Sequence, residues 1–474
     1  MKWLLSLLFF TIVFVSCKKE TFITTADARL TISADTLKFD TVFTTVGSVT
    51  QKFKIRNDNN QKLRISGIRL TGGAASSYQL NIDGQAVSAA TDLELAANDS
   101  LYVFVKITIN QNTTNLPFIV RDSIKVDFNG NTKWVQLQAY GQNARFLRNQ
   151  KITGNTSWNN QLPYVILGGI TVDTFATLTI DKGTRIYCNA NSPIIVHGTL
   201  KVNGAKDTAD RVYFRGDRLD PEYKDLPGGW PGIIFTNPST ANVLNYAVIK
   251  NAYQALVVSG GIANPLAKLT LNECIIDNAY DIGMYGFNSF INTRNCLFSN
   301  CGNEANLGEG GSNILVRGGG IYNFDYATIA TFSNVFQLHK QPVVYLSNSG
   351  GGTSTAPLTA NFNNCIIYGE GGLADNEIVT DKQVTSFAYT VTLTNSIYKV
   401  KTDPANVTFP GSLKNINPIF DSINTSRRTY DFHLRADISP AINKGATNAT
   451  YPFDLDGTLR KKGAATDMGC YEKQ

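Results

Sequence analysis

The chain has 474 residues, enough for two or three domains with cores of their own. Its formal charge of +6 is small for that length, and Lys and Arg are scattered rather than gathered into a stripe interleaved with aromatics, which excludes nucleic acid as the expected partner. With 39 Gly, 26 Phe and 20 Tyr but only 17% charged residues, the composition is that of an all-β extracytoplasmic protein with many turns.

At the N-terminus, Met1-Lys2 is a short positive start. Trp3 to Val15 is an apolar run too short to span a bilayer comfortably, and it ends at Phe14-Val15-Ser16-Cys17. This succession of charge, apolar core, small residue and Cys resembles a bacterial lipoprotein signal. The resemblance implies that residues 1–16 are a signal peptide removed on export and that Cys17 is lipidated. Residues 17–26 then form a lipidated tether. Each buried CH₂ of the acyl chains contributes about 0.8 kcal/mol, so the first expected partner is membrane lipid. Lys18-Lys19-Glu20 does not decide which membrane face is occupied. The expected location is the outer membrane, at the cell surface or on the periplasmic side.

Residues 27–143 show period-2 alternation broken by turn clusters such as Asn57-Asp58-Asn59-Asn60. Phe53-Lys54-Ile55, Leu101 to Ile107, Asp122 to Phe128 and Trp134 to Ala139 read as strands of an antiparallel sandwich. The segment resembles the immunoglobulin-like domains that precede surface modules in bacterial lipoproteins. A spacer or docking role is expected of it.

Residues 144–410 carry a recurring unit. Leu271-Asn272-Glu273-Cys274-Ile275-Ile276, Arg294-Asn295-Cys296-Leu297-Phe298, Phe362-Asn363-Asn364-Cys365-Ile366-Ile367 and Leu393-Thr394-Asn395-Ser396-Ile397-Tyr398 share an Asn, a small residue and an apolar pair. Leu244-Asn245-Tyr246-Ala247-Val248-Ile249 is a fainter copy, and Phe332-Ser333-Asn334-Val335-Phe336 is read as another. The small-residue or Val column then falls at 247, 274, 296, 335, 365 and 396. Spacings of 20–50 residues predict a solenoid with one such strand per coil. Asn at each corner would adopt the left-handed conformation and form a ladder between coils. The predicted fold class is therefore all-β: an immunoglobulin-like β-sandwich followed by a right-handed parallel β-helix. Upstream, Asp181-Lys182-Gly183-Thr184, Val196-His197-Gly198-Thr199-Leu200 and Gly229-Trp230-Pro231-Gly232-Ile233 resemble the first turns of the pectate-lyase-like superfamily. That resemblance implies the fold and leaves activity open.

Residues 411–474 resemble the terminal modules, often of the choice-of-anchor type, that follow β-helices in secreted bacterial proteins. Asp431 to Gly445, Asp454-Leu455-Asp456-Gly457 and Asp467-Met468-Gly469-Cys470-Tyr471-Glu472 carry the likeness, with Cys470 where Ala is usual. The resemblance implies a cap over the last coil, whose open strand edges need one. Six cysteines remain beyond Cys17. Cys274, Cys296 and Cys365 lie in the repeat column and read as stacked buried thiols. The three His are far apart and there is no Cys-x-x-Cys, so no metal site is expected.

A lyase would need a base and a cation for the uronic carboxylate, with Ca²⁺ as its cofactor; otherwise none is expected. The weak catalytic candidates are Lys250, Arg294 and Arg317, followed by His339 and Lys340. The acids are Asp277, Asp281, Glu304, Glu309 and Asp325. No Asp-Asp or Asn-Thr-Asp pair supports a hydrolase. Tyrosines 246, 253, 280, 285, 322, 326 and 345 are candidates for a sugar-binding face. The first reading is a non-catalytic surface that binds a polysaccharide or an envelope partner. The alternatives are a polysaccharide lyase acting on an acidic glycan and a structural or adhesive stalk.

Overall fold

The computed structural model describes residues 21–114, 117–261, 264–303, 309–351, 355–436, 438–448 and 450–473. Cys17 and Glu304 lie outside them. The chain divides into two compact units between Asn143 and Ala144.

The first unit is a sandwich of two five-stranded sheets. One sheet orders Leu30–Ile32, Gln51–Asn57, Ser100–Ile107, Tyr78–Ile82 and Gln85–Val87. The other orders Thr36–Phe43, Asn131–Gln142, Phe118–Phe128, Leu63–Leu70 and Ala89–Leu95. Alternation does the sorting: along Gln51–Asn57 the side chains of Phe53, Ile55 and Asn57 turn inward while Lys52, Lys54 and Arg56 face water. Phe39, Phe53, Ile55, Val103, Val105 and Ile124 fill the layer between the sheets. The Tyr78 hydroxyl, buried there, donates to the Val120 carbonyl at 2.9 Å.

The second unit is a parallel β-helix built on one continuous 26-stranded ladder. Each coil crosses three faces in turn. In one coil, Gln254–Ser259 lies on face 1, Leu269–Asn272 on face 2 and Ile275–Asp277 on face 3. Each strand pairs in parallel with its counterpart in the next coil, as Leu256 with Met284 and Ile276 with Phe298. The inward residues therefore stack in columns. On face 2 one column runs Val202, Leu244, Leu271, Thr293, Phe324, Phe362, Leu393.

The corner between faces 2 and 3 is where the repeat motif sits. Tyr246, Glu273, Asn295, Tyr326, Asn364 and Asn395 all have φ between 46° and 56°. Among residues with a side chain Asn is one of the few that tolerate this left-handed region, which accounts for its recurrence there. The next residue points into the core: Ala247, Cys274, Cys296, Ala327, Cys365 and Ser396 are all fully buried. The thiols are free and donate to carbonyls of their own and the preceding coil, as Cys274 Sγ to Leu244 O at 3.2 Å and Cys365 Sγ to Phe324 O at 3.4 Å. Ser396 Oγ repeats the pattern at 3.3 Å to Phe362 O.

One expected copy of the motif is corrected. Val335 is 77% exposed, and Ala327 takes its place in the column. Asn334 instead folds a loop, its Oδ1 accepting the N–H of Phe336 and of Gln337. The genuine corner, Asp325-Tyr326-Ala327, carries Tyr where Asn is usual, and Tyr326 spends its hydroxyl on Ala446 O at 2.6 Å.

The C-terminal segment packs on more than the last coil. It lies along the flank of the helix, against the outward side of face 3. Phe420, Phe432, Leu434, Leu455, Met468 and Cys470 pack on Leu297, Ala330, Phe332, Ile366, Tyr368 and Ile397, which come from successive coils. Thr328–Phe332 is consequently buried on both sides. Polar anchors fix the segment. Arg211 reaches Asp456 at 2.7 Å, and Asp456 also meets His433 Nε2 at 2.9 Å. The Asp454-x-Asp456-Gly457 stretch is a turn, with Asp454 Oδ1 accepting the N–H of Asp456 and of Thr458.

These anchors titrate. Burial works against a charge on His433, but its bonds to Asp456 and Asp431 outweigh this and raise it to about 9. Burial pushes the Glu472 carboxyl up to about 8. In both cases the folded state holds its proton more tightly than the unfolded chain does. The His433 contribution is complete below its ordinary 6.5 and is lost as pH rises through about 9. Glu472 destabilises progressively above its ordinary 4.5, up to about 8. Attachment of the C-terminal segment is thus expected to weaken from pH 6 to pH 9.5. Limited proteolysis across that range should show cleavage near residues 436–450 appearing only at the alkaline end. Equal cleavage at all pH values would refute the assignment.

Candidate functional site

The outward residues of face 2 form two rows parallel to the helix axis. Neighbouring strands lie about 4.8 Å apart, so equivalent side chains repeat at that interval. One row contains Thr270, Asn292, Asn323 and Asn361. Its amides are chained: Asn323 Nδ2 donates to Asn292 Oδ1 at 2.8 Å, and Asn361 Nδ2 to Asn323 Oδ1 at 2.9 Å. The other row contains Asn245, Asn272, Arg294, Asp325 and Asn363. Here Asn272 donates to Asn245 at 2.8 Å and Asn363 to Asp325 at 2.9 Å.

Thr450 and Tyr451 of the C-terminal segment stand beside these rows and close a groove of about 730 Å³. A second depression of about 360 Å³ continues past Arg294 and Tyr451 toward Asn203 and Asn245. Inside the groove the charges are spent on one another. Arg294 Nε lies 3.2 Å from Glu273 Oε1, and the guanidinium sits 5.2 Å from the centre of the Tyr451 ring. Burial raises the Glu273 carboxyl, against the pull of Arg294. Burial likewise raises Asp325, which is partly offset by hydrogen bonds from Asn363 and the Tyr451 hydroxyl. The arrangement is a polar trough with fixed donors and acceptors and one aromatic wall.

The three leading cationic candidates do not converge. Arg294 lies in this groove on face 2. Lys250 lies on face 3, paired with Asp277 at 2.9 Å, and that carboxylate holds its ammonium above the usual lysine range. Asp277 also accepts Ser299 Oγ at 2.8 Å. Arg317 is on face 1, in register with Phe287 and near Tyr285 and Tyr345. His339 and Glu377 form a buried pair at 2.9 Å that pins a loop. Asp281 accepts Gln254 Nε2 at 2.7 Å and the Gly311 N–H at 3.0 Å. Of the tyrosines, Tyr322 and Tyr326 are core residues and Tyr345 is nearly buried. Tyr253 and Tyr280 are exposed and stack at 5.5 Å. Among the described residues Tyr246 lines the continuation of the groove and Tyr451 lines both parts; Tyr451 carries no sequence signal, because only long-range packing brings it there.

Among the described residues no three His, Cys, Asp or Glu side chains are grouped to hold a metal ion. Nor is any helix among them long and apolar enough to cross a membrane.

No family model matches the chain, and no curated protein matches it. Similar solved structures are remote. The catalytic unit of a thermostable GH87 α-1,3-glucanase from Streptomyces thermodiastaticus aligns over 76% of this chain and 78% of its own, at 11% identity and TM-score 0.34. A family 123 glycoside hydrolase from Clostridium perfringens aligns over 26% of this chain at 9% identity and TM-score 0.19; only 30% of that hydrolase is spanned. A PapD-like domain of human CEP192 aligns over 27% of this chain and 92% of its own, at 10% identity and TM-score 0.17. At these scores none bears on what this chain does.

Proposed function

We propose that this protein is an outer-membrane lipoprotein, anchored through Cys17, whose β-helix serves as a non-catalytic polysaccharide-binding surface, with the face 2 groove as the binding site. The observation that carries this reading is the chained amide row. Asn292, Asn323 and Asn361 hold one another in a single orientation, so a repeating ligand would meet the same groups coil after coil. Little side-chain entropy remains to be lost on binding. The lyase alternative asks for a cation free to abstract a proton or hold a carboxylate. Lys250 and Arg294 are both engaged with acids, which favours binding over turnover.

The test is native gel electrophoresis of the full-length protein through immobilised polysaccharides, with each polysaccharide also followed for ultraviolet absorbance of unsaturated products. Retardation without an absorbance rise is expected. A chelator-sensitive rise would replace this reading with a cation-dependent lyase. Changing Cys17 to Ser should move the protein from the detergent phase to the aqueous phase, and unchanged partitioning would remove the anchor.

A further inference from the structure

We infer that the face 2 groove takes a neutral glycan chain lying along the helix axis and rejects uronic-acid polymers; this rests on the glycan-binding reading above. Three observations lead there.

The first is charge. Arg294 is the one cation among the described residues lining the groove and its continuation, and Glu273 already neutralises it at 3.2 Å. Asp325 stands in the next coil of the same row. A uronate laid on this floor would find no unpaired cation and would face a carboxylate at close range. In a partly desolvated trough that contact is repulsive, and repulsion of the wrong ligand is as much a part of specificity as attraction of the right one.

The second is hydrogen-bonding capacity. A side-chain amide has two N–H donors and an oxygen with two lone pairs. In Asn323 the ladder uses one donor toward Asn292 and one lone pair toward Asn361. One N–H and one lone pair are left, side by side. Such a pair matches a sugar hydroxyl couple, in which one oxygen accepts and its neighbour donates. An uncharged, hydroxyl-rich polymer therefore satisfies the row without any ionic partner.

The third is period. Equivalent amides recur at about 4.8 Å, roughly the length of one pyranose ring in an extended chain. A glycan running along the axis can place one ring on each coil. The Tyr451 ring at the side of the trough then offers an apolar surface to a sugar face, while its hydroxyl stays committed to Asp325.

The experiment uses the full-length protein in affinity gels that contain neutral polymers (mixed-linkage β-glucan, mannan, dextran) or acidic ones (polygalacturonate, alginate). Retardation by at least one neutral polymer and by neither acidic polymer is expected. Asn323→Ala should weaken that retardation about tenfold, which corresponds to the loss of a donor–acceptor pair. Asp325→Asn, which is nearly isosteric, should admit polygalacturonate. Retardation by an acidic polymer at least as strong as by the neutral ones would overturn the inference and leave glycan binding standing. Retardation by no polymer would overturn both. Neutral retardation that Asn323→Ala leaves unchanged, in a variant with the wild-type melting temperature, would overturn the groove as the site.

Discussion

Arg460→Ala is expected to release the C-terminal segment from the β-helix and to lower stability by about 3–5 kcal/mol. Arg460 is 1% exposed, and its guanidinium carbon sits over the Tyr326 ring, 3.8 Å from the ring centre. Its guanidinium bonds Asn295 Oδ1 through Nη2 at 2.6 Å and through Nε at 3.0 Å. Nη2 also reaches the carbonyls of Gly469 and Cys470 at 3.1 and 3.2 Å. Nη1 is 3.7 Å from Glu472. Alanine would orphan these buried acceptors together, and each unmet acceptor carries its own desolvation cost. Lysine would keep the charge but lose the planar fork, so Arg460→Lys should fall between. Urea unfolding with limited proteolysis would check this. A wild-type midpoint and digestion pattern in the alanine variant would show that the segment is held by its apolar contacts alone.

Phe324→Ala should be nearly as damaging, at about 3–5 kcal/mol. The ring stacks on Phe362 of the next coil at 4.7 Å and 3°, and meets Phe298 of face 3 edge-on at 6.3 Å. Its removal opens a cavity at the interface between coils, where a solenoid has no alternative contacts. Thr293, below it in the same column, is too short to fill the space. Thermal unfolding should show a lower midpoint for the β-helix transition. A shift no larger than that of a surface control such as Lys201→Ala would mean the column repacks.

Much of the fold could be read from the sequence, because the dominant forces there are local and periodic. Alternation marks Gln51–Asn57 and Ser100–Ile107 without ambiguity. Five of the six corners are legible because an Asn stands at the left-handed position or immediately before it. The sixth, Asp325-Tyr326-Ala327, is hidden because it has no Asn at either position, and the Tyr326 hydroxyl is instead fixed by Ala446 O. The site was less legible. The candidate cations are picked out by residue type alone, and the register puts Lys250, Arg294 and Arg317 on three different faces. That is recoverable: Arg294 immediately precedes the corner Asn295, whereas Lys250 ends the strand that follows the corner at Tyr246. The flank packing also left a trace. Thr328–Phe332 and most of Ile366–Glu370 lack the alternation of a strand with one wet side, so both sides needed a partner. No local rule could have brought Tyr451 to the groove.

The bond from Arg211 to Asp456 joins residues 245 positions apart, while coil-to-coil pairings reach only a few tens of residues. A plain solenoid frays from its ends, since each unit is held only by its neighbours. Here the segment after the helix runs back across several coils and joins them together. Partial opening of one coil then has to break contacts belonging to several. Such a closure is expected to slow unfolding without altering any single coil. Resistance to stepwise fraying is the property this arrangement supplies.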